Sequence, residues 1–193
     1  NGISHTDKQT STSQADASIL GTANKAAFAV TSAYNHDEPG DLAVGDLNQD
    51  GIDDLVVGSP RMILNQSNTA GYVHIFYGQK DGLGNITVDN ADIEIDGTHN
   101  SATHRDAGAG LTIADFNNDT VMDIGFGHPD SESPDPISSS NYTGGYSIFF
   151  GPLSATQTGE EADVIITSMN GSEDLGSGAV AGDFNGGGIM DIA

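Results

Sequence analysis

The chain has 193 residues, and its 28 Asp and Glu against five Lys and Arg give a formal net charge of −23 at pH 7. This charge disfavours nucleic acid and anionic membrane surfaces as partners and favours cations. There is no Cys, which excludes disulfides and thiolate chemistry, and no apolar stretch approaches the ~20 residues of a transmembrane helix, so we expect no direct membrane insertion.

The N-terminal residues differ in composition from the remainder. Residues 1–14 are polar and rich in Ser, Thr and Gln, which predicts a disordered segment or a linker. The chain begins at Asn1 rather than Met, so we expect that a signal or a longer N-terminal region has been removed.

From residue 15 onward, short runs rich in Val, Ile, Leu and Phe between Gly clusters predict strands. Three kinds of segment recur in a fixed order: an acidic loop, an aromatic run flanked by Gly, and a run that begins with Ala-Asp. Each full period therefore predicts four strands, of which the first ends in the acidic loop and the fourth carries Ala-Asp. Four antiparallel strands in a unit of this length indicate an all-β fold built of β-propeller blades.

The repeats predict where the blades lie. We expect the last strand of one blade at 15–21, complete blades at 42–97 and 111–168, and the start of a further blade at 179–193. Because propellers typically close about four to eight blades into a ring, these two and a half to three blades form an incomplete ring. The chain is therefore either a piece of a longer protein or a part that completes its ring with other copies.

The acidic loops begin at Asp46, Asp115 and Asp183, at intervals of 69 and 68 residues. Each has oxygen-bearing side chains at positions one, three and nine, with a backbone carbonyl at position seven, and the first two loops also have a carboxylate at position five. A hard cation with six to eight oxygen ligands requires such a donor set, so calcium is the predicted cofactor. The predicted calcium ligands are Asp46, Asn48, Asp50, Ile52 and Asp54 in the first loop, Asp115, Asn117, Asp119, Val121 and Asp123 in the second, and Asp183, Asn185, Ile189 and Asp191 in the third.

Two alternatives to propeller calcium loops were weighed. Asp-Asn-Asp-Gly strings also form ordinary turns, but three copies, each followed by an apolar run, favour a metal. An EF-hand requires a Glu at position twelve and flanking helices, whereas position twelve is Val57 or Phe126 and the flanks resemble strands. The copies are unequal: Thr120 replaces the turn Gly and Gly187 replaces a carboxylate, so the third loop should bind calcium more weakly.

Together these elements resemble the FG-GAP repeats of integrin α-chain propellers and their bacterial and algal relatives. The resemblance includes a Gly-rich lead (Gly108-Ala-Gly110), the acidic loop, an apolar strand, Gly-Ser59-Pro60 and the aromatic strand, although Leu175 stands where the family usually has Phe. It implies calcium in the loops that join the first and second strands. It also implies a protein or glycan ligand on the opposite face, whose predicted loops are 22–41, 59–70, 98–108 and 128–144.

Our leading functional hypothesis is an extracellular calcium-binding module for adhesion, ligand binding or assembly of a surface structure. Open calcium loops in extracellular modules bind with Kd of about 10⁻⁴–10⁻³ M and would be unfilled in the cytosol. Self-association that completes the propeller is a further option. The alternative is the non-catalytic propeller portion of a secreted glycan- or lipid-acting enzyme, since FG-GAP repeats occur in such proteins.

We expect no catalysis by this chain. Candidate acid–base residues, His99, His104, Arg105 and Asp106, share one loop between blades. The sequence contains no nucleophile elbow, zinc-protease motif or phosphate loop.

Overall fold

A computed structural model of the chain describes residues 18–20, 41–64, 68–97, 107–129, 144–167 and 175–193. The predicted linker at 1–14 and the four candidate acid–base residues of the loop at 98–106 lie outside the described residues. In chain order the strands are β1 (Ser18–Leu20), β2 (Leu42–Gly45), β3 (Asp54–Leu64), β4 (Asn68–Phe76), β5 (Asn85–Thr87), β6 (Ile93–Asp96), β7 (Ala109–Ala114), β8 (Asp123–Gly127), β9 (Gly145–Phe149), β10 (Gln157–Thr158), β11 (Val164–Thr167), β12 (Ala181–Gly182) and β13 (Asp191–Ile192). Short 3-10 helices lie at Val88–Asn90 and Gly159–Glu161.

The strands form antiparallel blades in the predicted order. In the first blade β2, β3, β4 and β6 are neighbours, and in the second blade β7, β8, β9 and β11 are neighbours. β12 and β13 form a further antiparallel pair. Each acidic loop joins the first and second strands of its unit. The fold is thus a partial β-propeller, as the sequence predicted.

The prediction of a loop over 59–70 was wrong. β3 continues to Leu64 and β4 begins at Asn68, so the two strands form a long hairpin. The pairing register shifts between Ser59 and Met62. Such an irregularity accommodates Pro60, which has no N–H to donate to a regular ladder. The Gly-Ser-Pro sequence therefore marks a bulge within the hairpin.

A second kind of strand pairing connects successive repeats. β5 of the first repeat pairs in parallel with β1, and β10 of the second repeat pairs in parallel with β6. In both cases a segment of two or three residues lies against the fourth strand of the preceding repeat. The sequence analysis did not anticipate these outer pairs.

The hydrophobic core extends from one blade into the next. It contains Val56, Val73, Ile75 and Ile95 of the first blade together with Ile124, Phe126 and Phe149 of the second. The rings of Phe126 and Phe149 stack with their centroids 5.5 Å apart. Burial of these strand faces, which the apolar runs of the sequence supply, holds the blades side by side.

Glycines allow the backbones of neighbouring units to touch. A Cβ on Gly58 would collide with the carbonyl oxygen of Gly108, and a Cβ on Gly127 would collide with that of Gly176. Gly108 and Gly176 also have left-handed backbones, with φ of +109° and +96°, a region in which glycine carries no steric penalty. The Gly-rich lead before each first strand is therefore a joint between blades.

Candidate metal centres

The first Asp of each loop holds the turn together. The carboxylate of Asp46 accepts hydrogen bonds from the backbone N–H of Asp50 at 3.0 Å and of Gly51 at 2.9 Å. Asp115 and Asp183 accept the equivalent pairs of hydrogen bonds, at 2.8–3.1 Å. The side-chain oxygen of the Asn at position three accepts from the same N–H of position five in all three loops. The three loops therefore share one internal hydrogen-bond pattern.

Two left-handed residues give each loop its shape. Position four has φ of +62°, +61° and +74°, and position six has φ of +82°, +75° and +84° in the first, second and third loops. Position six is Gly51 or Gly188 in two loops, but Thr120 in the second. A β-branched residue in this region is strained by about 1–3 kcal/mol. The second loop thus keeps its shape against an unfavourable side chain.

The ninth-position carboxylate fastens the loop to its blade. Asp54 is fully buried and accepts backbone N–H groups from Leu47 at 2.8 Å, Asn48 at 3.3 Å and Gly78 at 2.7 Å. Gly78 follows the aromatic strand, so this side chain links the loop to a segment 24 residues away. Asp54 therefore has a structural role whether or not it also contacts a cation.

Asp123 has the same position in the second blade. It accepts the N–H of Phe116 at 2.8 Å and of Gly151 at 2.9 Å. Burial raises the pKa of the Asp123 carboxyl, while hydrogen bonds from the backbone of Gly151, Phe116 and Asn117 act in the opposite direction. Desolvation of this carboxylate is thus the larger effect.

The fifth-position carboxylate is the one that the turn does not require. Asp50 and Asp119 each accept the N–H of position seven, at 2.8 Å, through one oxygen. The second oxygen lies 3.1 Å from the amide nitrogen of Asn48 in the first loop and 2.9 Å from that of Asn117 in the second. The third loop has Gly187 here and nevertheless keeps the internal hydrogen bonds described above. The turn therefore forms without this carboxylate.

The first two loops lie side by side on one face of the blades. The side-chain amide of Gln49 donates to the carbonyl oxygen of Thr120 at 3.2 Å. Because Gln49 and Thr120 belong to equivalent turns of successive repeats, this bond places the two complete acidic loops next to each other. The juxtaposition brings together carboxylates that repel one another without a cation.

The donor chemistry of the loops fits calcium. Each complete loop offers only carboxylate, amide and carbonyl oxygens, which suit a hard cation better than zinc or copper. Within the part of the chain that the structure describes, no three His, Asp or Glu side chains converge into a metal-binding group by themselves. A cation would therefore need the Asn48 amide oxygen and the Ile52 carbonyl as well as the carboxylates.

The recurring Ala-Asp segments have a structural explanation that the sequence did not reveal. Asp92 accepts the backbone N–H of Tyr77, and Asp163 accepts that of Phe150, each at 2.7 Å. Both acceptors precede the fourth strand and both donors follow the third strand. Recurrence of Ala-Asp at a fixed place was the signal that could have identified these carboxylates as clamps between strands.

Two buried histidines lie inside the sheets, away from the acidic loops. His128 Nε2 is 3.0 Å from the Ser147 hydroxyl. His74 stacks on Tyr72, and its Nδ1 is 3.5 Å from a carboxylate oxygen of Glu94. Both are enclosed by the packing of the second and third strands.

Antiparallel four-stranded blades with an acidic loop between their first and second strands define a calcium-loop type of β-propeller repeat. The profile of the FG-GAP repeat matches residues 39–76, which include β2, β3 and β4. The chain is accordingly a member of the FG-GAP repeat family with an integrin α-chain-like propeller fold, as the resemblance predicted.

Curated relatives match a larger part of the chain. It is 32% identical over 148 residues to phosphatidylinositol-glycan-specific phospholipase D of Bos taurus, and 30% identical over 154 residues to the protein of that name from Rattus norvegicus. The human protein of that name is 30% identical over 148 residues. These matches cover 75%, 78% and 75% of the chain but only 17% of each relative. No helix among the described residues is both long and apolar enough to cross a membrane.

Proposed function

We propose that the chain is an extracellular propeller module that binds calcium in its acidic loops and acts by binding or assembly, without catalysing a reaction. The observation that carries this proposal is the fifth-position carboxylate. The third loop forms the same turn with Gly187 in that place, so Asp50 and Asp119 have a carboxylate beyond what the turn needs.

The residues that would hold calcium are those of the two complete loops. In the first loop they are Asp46, Asn48, Asp50, the carbonyl of Ile52 and Asp54; the second loop offers the equivalent set. A bound ion would neutralise carboxylates that face one another across a tight turn. The chain's own residues preset the turn through backbone N–H groups, which limits the ordering that binding would require.

Calcium titration followed by native mass spectrometry and calorimetry tests the proposal. We expect two strong sites per chain, one lost in Asp50→Ala and one in Asp119→Ala. Asp81→Ala is the matched control, because it removes the same charge from an exposed turn outside the loops. Gly187→Asp should strengthen the third site. No binding at millimolar calcium, or unchanged binding in both loop variants, would contradict the proposal.

A second candidate function comes from the relatives. Proteins named phosphatidylinositol-glycan-specific phospholipase D contain a stretch similar to this chain. The chain may accordingly serve as the non-catalytic propeller portion of a larger enzyme that acts on glycans or lipids. The chain spans 17% of those relatives' length, and this candidate requires other segments to supply the chemistry.

Activity and binding assays distinguish the two candidates. The isolated chain should not hydrolyse glycosylated phosphatidylinositol or plain phospholipid. Retention of the chain on vesicles with glycosylated phosphatidylinositol, but not on plain phospholipid vesicles, would favour the enzyme-associated role. Turnover by the chain that His104→Ala abolishes would contradict both non-catalytic proposals.

A further inference from the structure

The outer edge of a fourth strand is covered in both places where the structure shows the following repeat. β10 covers β6, with Gln157 opposite Ile95 and Thr158 opposite Asp96. β5 covers β1, with Ile86 opposite Ile19. Both pairs are parallel. The structure therefore shows a rule: a short segment from one repeat pairs with the fourth strand of the repeat before it.

β11 is the fourth strand of the second blade, and its edge lacks such a segment. It pairs with β9 on one side, and among the described residues no strand pairs with its other side. Alignment of the Ala-Asp pairs before β6 and β11 places Ile95 and Ile166 at equivalent positions. Ile95 is fully buried, whereas 41% of Ile166 and 44% of Ile165 are exposed. The uncovered edge thus coincides with exposed aliphatic side chains.

The two covering segments share a chemistry that defines what fits this edge. Each ends in a Thr, which is followed by a 3-10 turn and then by Ala-Asp. The N–H and hydroxyl of Thr87 both donate to the side chain of Asn90, at 2.9 and 3.1 Å. Those of Thr158 both donate to Glu161, at 2.7 and 3.2 Å. The shared sequence is Thr-x-x-Asn/Glu-Ala-Asp, in which the Thr ends the covering strand.

We propose that the outer edge of β11 is a docking site for an extended segment of this kind from another FG-GAP repeat. The segment would lie parallel to β11, pair with its outward backbone groups and cover Ile166. Addition of a strand to an exposed sheet edge is a known mode of peptide recognition, in which backbone hydrogen bonds give affinity and side-chain positions give specificity. The inference depends on strand pairing and is independent of calcium.

The probe for the test is a synthetic peptide with the sequence of residues 153–163, which contains the covering segment of the second repeat. It is titrated into the isotopically labelled full chain while amide shifts and hydrogen exchange are recorded. We expect saturable shifts and slowed exchange confined to β11, with binding in the millimolar range because only two or three residues pair. A peptide with Gly in place of Thr158 and Glu161 should bind at least several-fold more weakly.

A protein variant provides the second comparison. Ile166→Lys should weaken peptide binding about tenfold, since burial of a large aliphatic side chain contributes affinity of that order. Val44→Lys, at a similarly exposed aliphatic position on β2, should leave binding unchanged. Absence of shifts, shifts centred on β6, or equal shifts with the Gly-substituted peptide would overturn the proposal. Shifts at β11 that grow with protein concentration without peptide would also overturn it, because they assign the edge to a second copy of the chain.

Discussion

Asp50→Ala separates the metal role of the first acidic loop from its turn role. Without calcium, the substitution removes one exposed hydrogen bond, from the N–H of Ile52 to Asp50 Oδ1 at 2.8 Å. A net intramolecular hydrogen bond stabilises a protein by about 0.5–1.5 kcal/mol, and an exposed one lies at the low end. Relief of repulsion between Asp50 and Asp46 offsets part of this loss. We therefore expect a change below ~1 kcal/mol in chelator.

In calcium the same substitution also removes linked binding energy. At free calcium of ~100 Kd, a site that exists only in the folded state stabilises it by about 2.7 kcal/mol. The total loss should then be about 3 kcal/mol. For a chain of this size it corresponds to a fall in Tm of roughly 6–12 °C, since each kcal/mol shifts Tm by about 2–4 °C.

Calorimetric melts of the native chain and of Asp50→Ala, each in excess calcium and in chelator, measure both quantities. Asp81→Ala controls for the loss of one exposed negative charge. Equal losses for Asp50→Ala in the two conditions would show that Asp50 serves only the turn. A loss for Asp81→Ala as large as that for Asp50→Ala in calcium would show that net charge governs the effect.

Three further substitutions test other parts of the molecule. Asp54→Ala should lower the free energy of unfolding by at least ~3 kcal/mol with or without calcium, because three backbone donors lose a buried acceptor; a loss seen only in calcium, by denaturant titration, would contradict this. Thr120→Gly should raise Tm, since it relieves a left-handed backbone with φ of +75°, whereas Thr158→Gly, at φ of −110°, should lower it; thermal melts in which both variants fall would contradict the strain. Burial raises the pKa of Tyr146 to about 12, so the folded state keeps a proton that the unfolded chain loses near pH 10; stability is therefore retained below pH 10 and falls as pH rises towards 12, by about 2–3 kcal/mol. Tyr146→Phe should flatten that fall in denaturant titrations at pH 8 and pH 11, and an equal fall in the variant would assign the alkaline loss to other groups.

The sequence predicted the blades because their strands carry local signals. Apolar runs between Gly clusters identify strands, and the acidic loop fixes which two strands it joins. Pro60 misled the prediction, since a Pro inside a hairpin is accommodated by a bulge whose presence depends on the partner strand. The outer pairs of β5 and β10 were missed because two or three polar residues have no hydrophobic periodicity, and their pairing depends on the preceding repeat.

The candidate site was predicted in composition but not in division of labour. Spacing alone treats Asp46, Asp50 and Asp54 as equivalent ligands. The structure separates them, because Asp54 is buried and bound to the N–H of Gly78, which is distant in sequence. Only the folded chain shows that Asp50 is the carboxylate that the turn can lose, and the third loop with Gly187 provides that comparison.

The glycine joints between blades have a consequence for how such sequences diverge. At Gly58 and Gly127 the spacing of adjacent units is set by main chain against main chain, with no side chain in between. Substitutions in the facing strands can therefore accumulate without changing the distance from one blade to the next. The pitch of the assembly is inherited through these few positions, so proteins that share about a third of their residues can keep superimposable neighbouring blades, while one added methyl group at a joint would force them apart.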